Sequence, residues 1–403
     1  MYKMEAVQRS RRVLVSGIGV VSPLGSNTEE NLRALIDGRD CVTPVERFDV
    51  SKTRCKTAGQ VPDGWLERAF APGRESRRLH RGARMAAVAL REACESAQGA
   101  VPELSVVSTT CGGMSYGEFY YKRLLSSASR RNFARLVGNY TPQKPIQDAL
   151  EANRLSIPTK IIANACSSGS DAIGHAFELV RHGLHECVIC GGYEPLSELV
   201  FVGFDSLQAA TFEKIRPFDK SRSGLVLGEG AAFLILESEQ CAAKRHAVAL
   251  GEMIGYGVST DTYHLTQPHP SGIGPKLSMK RALESAGLEA AAIDYVNAHG
   301  TATIYNDATE GAAISEVCDG VPVSSTKSMM GHALGAAGAI EAAFSVLALR
   351  EQFIPPNINF SEPEPVWKFE VVGNYSRSAR LKYLLSNSIG FGGTNATLVL
   401  MRI

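Results

Sequence analysis

The chain has 403 residues, of which 44% are hydrophobic and 21% are charged, and its formal net charge at pH 7 is +1. These values are typical of an ordinary soluble globular protein that buries a large core, as one big domain or two packed halves. A near-neutral chain has no global attraction for nucleic acid or membranes, so electrostatic recognition must come from a local patch.

The cysteine usage and the N-terminus bear on location. Nine cysteines are scattered without a repeating framework, which favours a reducing compartment, and the sequence carries no zinc signature. Basic residues before Val13–Val21 resemble a signal peptide, but two glycines interrupt the apolar run and a turn follows it, so a first core strand is the better interpretation. No apolar stretch is long enough to span a bilayer. We therefore expect a cytoplasmic protein.

Short β-rich runs alternate with helical patterns along the chain, which indicates an α/β fold. In the first half the predicted elements are strand Val13–Val21, helices Thr28–Ile36 and Arg81–Ala97, strands Leu104–Thr109 and Thr159–Ala163, helix Ser170–Arg181, and strands Glu186–Cys190 and Ala231–Leu236. In the second half they are strand Ala249–Val258, helix Pro275–Ala286, strand Tyr295–Ala298, helix Asp307–Val317, strand Val321–Ser324, helix Gly335–Leu349, and strands Leu384–Ile389 and Thr394–Met401.

Two further segments have unusual patterns. The run Gly331–Ala339 is rich in small residues that let a helix pack very closely inside a core. The segment Ser126–Pro158 is the least regular, with an Arg-Arg pair and three prolines, and is predicted to be a mobile or interface-forming insertion. No flexible linker divides the chain, so we expect two intimately packed halves.

Cys166 lies where an apolar run ends and small residues open a helix. Ile173, Ala176, Phe177 and Val180 then follow at the spacing of one apolar helix face, which places Cys166 at a strand-to-helix turn. The unpaired N–H groups and the dipole of a helix N-terminus favour a thiolate over a thiol. A buried structural cysteine is the common alternative. This position indicates a nucleophile instead.

Three further motifs accompany the cysteine. They are Tyr295–Thr303, in which a strand ends at His299; Val323–Ala339, which contains Lys327 and His332; and the glycine-rich turn within Asn387–Asn395. Each motif alone is ordinary, but the set in this order resembles the β-ketoacyl-acyl carrier protein synthases, the elongating Cys-His-His condensing enzymes of the thiolase superfamily. The resemblance extends from Arg12–Gly19 through Arg216–Gly224 to the last turn, and so covers nearly the whole chain.

The resemblance implies a fold and an activity. The fold is a thiolase-like, duplicated α-β-α-β-α layered architecture, with an N-terminal half at 1–248 that carries the cysteine and a C-terminal half at 249–403 that carries both histidines. The activity is a decarboxylating Claisen condensation of an acyl-cysteine with malonyl-acyl carrier protein. The resemblance further implies a homodimer, a carrier protein with a phosphopantetheine arm as partner, and no metal or organic cofactor.

It also implies roles for individual residues. Cys166 accepts the acyl group, and His299 and His332 donate hydrogen bonds to the malonyl thioester oxygen as charge builds there. The N–H groups of Cys166 and Phe391 match the family's oxyanion hole, and the ring of Phe391 matches its gating aromatic. The remaining matches are the supporting charged pair Lys327 and Glu341, the pantetheine-binding Thr301 and Thr303, the acyl-pocket residues Cys111 and Phe204, and a basic carrier-docking cluster of Arg74, Arg77, Arg78, Arg81 and Arg84.

Departures from the family pattern leave alternatives open. Ala302 and Ile304 replace the usual Ser and Pro of the histidine loop, and Ser126–Pro158 departs from the pattern in a region that shapes the dimer contact and the acyl pocket. A heterodimer with a ketosynthase-like partner, and a type II polyketide or polyene pathway in place of fatty-acid elongation, therefore remain alternatives. A non-catalytic partner subunit resembling a chain-length factor is a third, although such subunits typically lack the cysteine that this chain has.

Overall fold

The structure, a computed structural model, describes residues 11–70, 79–126 and 134–403. Its helices are α1 Thr28–Asp37, α2 Asp63–Arg68, α3 Arg81–Ser96, α4 Met114–Ser126, α5 Ala134–Gly138, α6 Gln143–Ala152, α7 Ser168–Arg181, α8 Glu198–Ser206, α9 Glu239–Lys244, α10 Ile273–Ala286, α11 Ile304–Val317, α12 Lys327–Met330 and α13 Ala337–Glu351. Its strands are β1 Val13–Val21, β2 Val42–Pro44, β3 Thr57–Gly59, β4 Leu104–Ser108, β5 Thr159–Ile162, β6 Cys187–Glu194, β7 Gly230–Ser238, β8 Gly251–Thr260, β9 Tyr295–Asn297, β10 Pro322–Ser324, β11 Phe353–Ile354, β12 Glu370–Val371, β13 Arg377–Ser378, β14 Tyr383–Gly390 and β15 Thr394–Met401.

The strand order repeats. In the described part of the chain, β5-β4-β6-β7-β1 of the first half matches β10-β9-β14-β15-β8 of the second, with β12 as an additional parallel edge strand beside β10, and antiparallel pairing of β1 with β8 joins the halves into one sheet. In each half the first three strands are parallel and the last two join antiparallel. The duplicated α/β architecture predicted from the sequence is confirmed.

Two buried helices, α7 and α13, lie between the repeats. Every residue of α13 from Ala337 to Leu349 is buried, so this helix is apolar around most of its circumference. The two helices meet at glycines: a Cβ on Gly169 would lie 2.5 Å from the backbone nitrogen of Ala339, and one on Gly338 would lie 2.6 Å from that of Ser170. The small-residue run therefore permits the close packing that was predicted from it.

The irregular segment Ser126–Pro158 differs from its prediction where it is described. Residues 134–158 contain α5 and α6, and α6 buries Ile146, Ala149 and Leu150 in the same core cluster as α3. The prolines do not interrupt the helix: Pro142 precedes α6 and Pro145 lies in its first turn, where a missing N–H breaks no helical hydrogen bond. This part of the segment is a core helix and not a mobile insertion.

No helix within the described ranges combines the length and the apolar composition that crossing a membrane requires.

Candidate active site

Cys166 lies at a sharp elbow between β5 and α7. Ala165, the residue before it, has a φ of 50°, an uncommon left-handed conformation for a residue with a side chain. The hydroxyl of Ser168 stabilises the elbow because it accepts from the N–H of Asn164 at 2.6 Å and donates to the carbonyl of Ala165 at 2.5 Å. The strand-to-helix turn predicted for the nucleophile is present, and Cys166 itself is only 7% exposed.

Burial decides the resting state of the cysteine. It raises the pKa of the Cys166 thiol to about 12, although the charge of Lys327 and a hydrogen bond from the N–H of Phe391 act in the opposite direction. The expectation that the helix N-terminus holds a resting thiolate is therefore wrong, because desolvation of the charged form outweighs these contributions. The group is a thiol at neutral pH and must lose its proton as it attacks.

His299 is held rigidly just after β9. Glu310 of α11 accepts the backbone N–H groups of His299 and Gly300, each at 2.8 Å. Lys327 donates to the carbonyl oxygen of His299 at 2.7 Å, and its Nζ lies 3.2 Å from the Nδ1 atom of the ring. Backbone and ring are thus fixed from two sides, and Nε2 is left for a substrate.

His332 lies opposite, with its ring centroid 5.1 Å from that of His299 and the two planes at 84°. Its backbone N–H donates to the carbonyl of Val226 at 2.7 Å. Among the described residues, neither ring nitrogen of His332 has a hydrogen-bond partner, although the residue is 1% exposed. Buried polar groups normally have partners, so this ring is placed to bind a ligand.

Both imidazoles are neutral. Burial lowers the pKa of His299 and of His332 well below the usual 6.5, and the charge of Lys327 lowers both further. A neutral imidazole has one N–H donor, so each ring donates one hydrogen bond without carrying an acidic proton.

Lys327 and Glu341 form a buried ion pair, with side chains only 2% and 3% exposed. Glu341 projects from the buried helix α13, and burial raises the pKa of its carboxyl while Lys327 opposes that shift. Lys327 thus joins Glu341 to His299. The pair therefore lies behind His299, and the supporting role that the resemblance implies for it stays a prediction.

Phe391 and Phe204 stack above the cysteine. Their ring centroids are 5.4 Å apart with an angle of 25° between the planes. Phe391 lies in the turn between β14 and β15, and its N–H donates to the sulfur of Cys166. The geometry places the predicted oxyanion donor and the predicted gating ring at one residue beside the nucleophile.

One pocket of about 190 Å³ collects these groups. Its lining includes all three predicted chemical residues, both phenylalanines and the two threonines: Cys166, His299, His332, Phe204, Phe391, Thr301 and Thr303. The hydroxyls of the two threonines are 2.9 Å apart. Ile304 and Tyr305, about 60% exposed, stand at the mouth.

Cys111 does not line this pocket but shares a buried apolar cluster with the nucleophile. We call it the Cys166 cluster; its buried members are Cys55, Ala58, Cys111, Cys166, Leu196, Phe201, Ala210, Leu225, Leu227 and Leu334. Pro142 closes the turn after Cys111, because a Cβ on Gly112 would lie only 2.6 Å from its Cα. Cys111 thus lies in the apolar packing around Cys166, and Pro142 of the segment 126–158 lies against its turn.

The structure describes only two of the five arginines in the predicted docking cluster, Arg81 and Arg84. Arg81 forms ion pairs with Glu229, which is fully buried, and with Asp63, and its side chain is 12% exposed. Arg84 is half-buried on α3. The other three predicted docking residues, Arg74, Arg77 and Arg78, lie outside the described residues. Arg81 therefore stabilises the fold, which leaves it little surface for a partner.

Sequence reasoning missed two buried carboxylates. Glu310 clamps the His299 backbone, and Glu194, fully buried at the end of β6, accepts hydrogen bonds beside Cys111 and after His332. Glu310 lies one helical turn after Asp307, also fully buried, and two acids on the buried face of one helix were a signal that could have been used. Glu194 offers no comparable local signal.

Comparisons with known proteins agree with this geometry. The family model "Beta-ketoacyl synthase, N-terminal domain" matches residues 10–242, and "Beta-ketoacyl synthase, C-terminal domain" matches residues 250–361. The chain is 36% identical to a 3-oxoacyl-[acyl-carrier-protein] synthase 2 of Synechocystis sp., over 96% of this chain and 97% of that protein.

Two solved structures are similar over nearly the whole chain. The ishigamide ketosynthase/chain length factor superposes with a TM-score of 0.91 at 32% identity, covering 98% of this chain and 100% of that one. A type II PKS ketosynthase in complex with its acyl-carrier protein superposes with a TM-score of 0.87 at 27% identity, with the same coverage. The chain belongs to the β-ketoacyl synthase family.

Proposed function

We propose that this protein condenses an acyl group held on Cys166 with malonyl-acyl carrier protein, releasing carbon dioxide and forming 3-oxoacyl-acyl carrier protein. One observation carries the proposal: a buried thiol, two neutral imidazoles and the Phe391 N–H meet in one pocket. A thiol accepts and returns acyl groups, and neutral N–H donors stabilise a developing oxyanion.

The first step is acyl transfer. The sulfur of Cys166 attacks the carbonyl carbon of the acyl thioester, and the N–H groups of Cys166 and Phe391 stabilise the oxyanion that forms. The carbon–sulfur bond to the pantetheine arm then breaks, and the proton of the Cys166 thiol leaves on the pantetheine sulfur. The burial that raises the pKa of Cys166 makes this proton transfer part of the step.

The second step is decarboxylation followed by condensation. The carbon–carbon bond to the malonyl carboxylate breaks, carbon dioxide leaves, and the electron pair becomes an enolate whose oxygen accepts from His299 and His332. The enolate carbon attacks the carbonyl carbon of the acyl-cysteine, the carbon–sulfur bond to Cys166 breaks, and the departing thiolate takes up a proton from solvent water. Neutral donors suit this step because an imidazolium could protonate the carbanion and waste it.

The partners follow from the same proposal. Thr301 and Thr303 line the mouth and have hydroxyls that can bond a pantetheine arm. Strand β5 is the edge of the sheet next to the elbow, and α4 exposes Phe119, Tyr121 and Leu125. Among the described residues β5 is thus an open sheet edge, and this edge and the exposed apolar side chains of α4 support pairing with a second subunit, either this chain or a ketosynthase-like partner.

Pathway and organisation stay predictions. Relatives of the chain are named as 3-oxoacyl-acyl carrier protein synthases, and similar structures come from type II polyketide systems, so both pathways fit.

The repeated strand order supports a division of the chain into two halves between residues 248 and 249, because β1–β7 precede it and β8–β15 follow. A cytoplasmic location remains the prediction from cysteine usage. The chain-length-factor alternative is less well supported, since Cys166, His299 and His332 are all in place.

The test is intact mass after incubation with acyl-carrier proteins that differ in acyl length and unsaturation. We expect the wild-type chain to gain the mass of an acyl group, and the Cys166→Ala protein to gain none while keeping its circular dichroism spectrum. A Cys166→Ala protein that still carries a thioester-linked acyl group would refute the assignment. The acyl groups that load most completely onto Cys166 identify the substrate class.

A further inference from the structure

Glu194 is a fully buried carboxylate that the proposed reaction does not use. It ends β6 and accepts four hydrogen bonds from two separate segments. One segment is the turn after β4, which supplies the hydroxyl of Thr109 at 3.1 Å and the N–H groups of Thr110 and Cys111, each at 2.7 Å. The other supplies the N–H of Gly335 at 2.9 Å.

One of these segments belongs to the apolar cluster around Cys166, and the other follows His332 in the chain. The first segment carries Cys111, a buried member of the Cys166 cluster. Gly335 comes three residues after His332, and the two segments touch there, because a Cβ on Gly335 would lie 2.5 Å from the N–H nitrogen of Thr110. The carbonyl of Gly335 in turn accepts from the hydroxyl of Ser108 at 2.8 Å. Both polar groups of Gly335 are therefore bound to the N-terminal half.

Leu334 lies directly before Gly335, so the hydrogen bond between Glu194 and Gly335 affects its position. It has a φ of 45°, which is unfavourable for a residue with a branched side chain and persists only where its surroundings impose it. The side chain is 4% exposed and packs in the Cys166 cluster with Cys111 and Cys166. The bonds to Gly335 hold the next peptide in place, so they keep Leu334 in its cluster and add to the bonds with Val226 and Gly228 that hold the backbone of His332.

We propose that Glu194 is a positioning residue that couples the acyl-pocket wall to His332, so that the acyl chain on Cys166 alters the rate of decarboxylation by displacing Leu334. The inference rests on the proposed function and deepens it. An acyl chain that fills the cluster presses on Leu334, and the Glu194–Gly335 link limits how far Leu334 and His332 can shift.

The first test replaces Glu194 with Gln. The Gln carbonyl can still accept from Thr109 and Cys111, but its NH₂ group then faces the N–H groups of Thr110 and Gly335, which share the other oxygen of Glu194, so both of these bonds are lost and with them the link to Gly335. Glu92→Gln is the matched control, because Glu92 also accepts N–H groups from two segments, Val20 and Thr28, away from the pocket. The assay measures carbon dioxide release from malonyl-carrier protein by enzyme preloaded with acyl groups of increasing length.

We expect the wild-type rate to vary along the acyl series. The Glu194→Gln rate should fall about tenfold or more, as the loss of the charge-assisted hydrogen bonds to Thr110 and Gly335 implies, and should no longer vary. Glu92→Gln should behave as wild type. A Glu194→Gln rate within twofold of wild type with the same dependence on acyl length would overturn the proposal, and so would a wild-type rate that ignores acyl length.

Two further measurements keep the inference separable from the proposed function. Leu334→Ala keeps the Glu194 bonds but removes the side chain that senses the acyl group, so it should still decarboxylate while losing the length dependence; retained dependence would contradict the proposal. Hydrogen exchange of residues 333–336 should be faster in Glu194→Gln than in wild type and in Glu92→Gln. Unchanged exchange refutes the link whatever the activity, whereas a wild type that releases no carbon dioxide refutes the proposed function alone.

Discussion

The Nζ atom of Lys327 lies 3.2 Å from Nδ1 of His299 and 2.7 Å from the carbonyl oxygen of the same residue. An ammonium group can only donate, so Nδ1 accepts and the ring proton of the neutral imidazole resides on Nε2. Lys327 therefore selects the tautomer that presents a donor to the pocket, and Glu341 holds Lys327 in place through the buried ion pair.

Lys327→Met is expected to lower both stability and decarboxylation. It leaves Glu341 buried without its partner, so the free energy of unfolding should fall by about 3–5 kcal/mol. The double variant Lys327→Met/Glu341→Leu removes both charges and should recover most of that stability without recovering carbon dioxide release. Denaturant unfolding and a decarboxylation assay on both proteins check this. Recovery of the activity in the double variant would show that Lys327 acts only through stability.

Protonation of His299 and His332 is expected to cause no change in the decarboxylation rate across neutral pH. Burial lowers the pKa of His299 and His332 well below 6.5, so both rings stay neutral as the pH falls from about 8 to about 6. A histidine with an ordinary pKa would instead become charged near pH 6.5 and lose its function there. Single-turnover carbon dioxide release from preloaded enzyme measures this step, and an inflection near pH 6.5 that disappears in His332→Ala would contradict the assignment.

Cys111→Phe is expected to shorten the longest acyl group that loads onto Cys166. The two thiols share one apolar cluster, and Pro142 blocks the turn from moving outward, so added bulk must enter the space for the acyl chain. Intact mass with a series of acyl-carrier proteins gives the loading profile. Loading of short groups is the internal control, and a profile that does not shift would remove Cys111 from the pocket wall.

Substitutions of Arg81 and Arg77, two of the five arginines of the predicted docking cluster, are expected to have different effects. Arg81→Ala breaks the pair with buried Glu229 and should lower the free energy of unfolding by about 3 kcal/mol or more. Arg77→Glu should raise the apparent KM for acyl-carrier protein at low salt, less so at high salt, if the docking role predicted from the sequence is right. An unchanged KM for Arg77→Glu at low salt would rule out docking at this residue.

Local patterns predicted what depends on local chemistry. The elbow at Cys166 followed from an apolar run and helical spacing, and the buried helix α13 followed from its small residues. The protonation state of Cys166 could not be predicted in this way, because the desolvation that raises its pKa depends on segments far away in the chain. Glu194 was missed for the same reason, since its donors Thr110 and Gly335 come from distant positions that meet only in the folded chain.

The central claim is that Cys166 carries the acyl group while His299 and His332 serve decarboxylation. The most direct test measures both steps separately in His299→Ala and His332→Ala: acyl loading by intact mass, and carbon dioxide release from malonyl-carrier protein. We expect loading to persist in both variants and carbon dioxide release to fall by about a hundredfold or more in each, as the loss of an oxyanion donor implies. Normal carbon dioxide release in both variants would contradict the account.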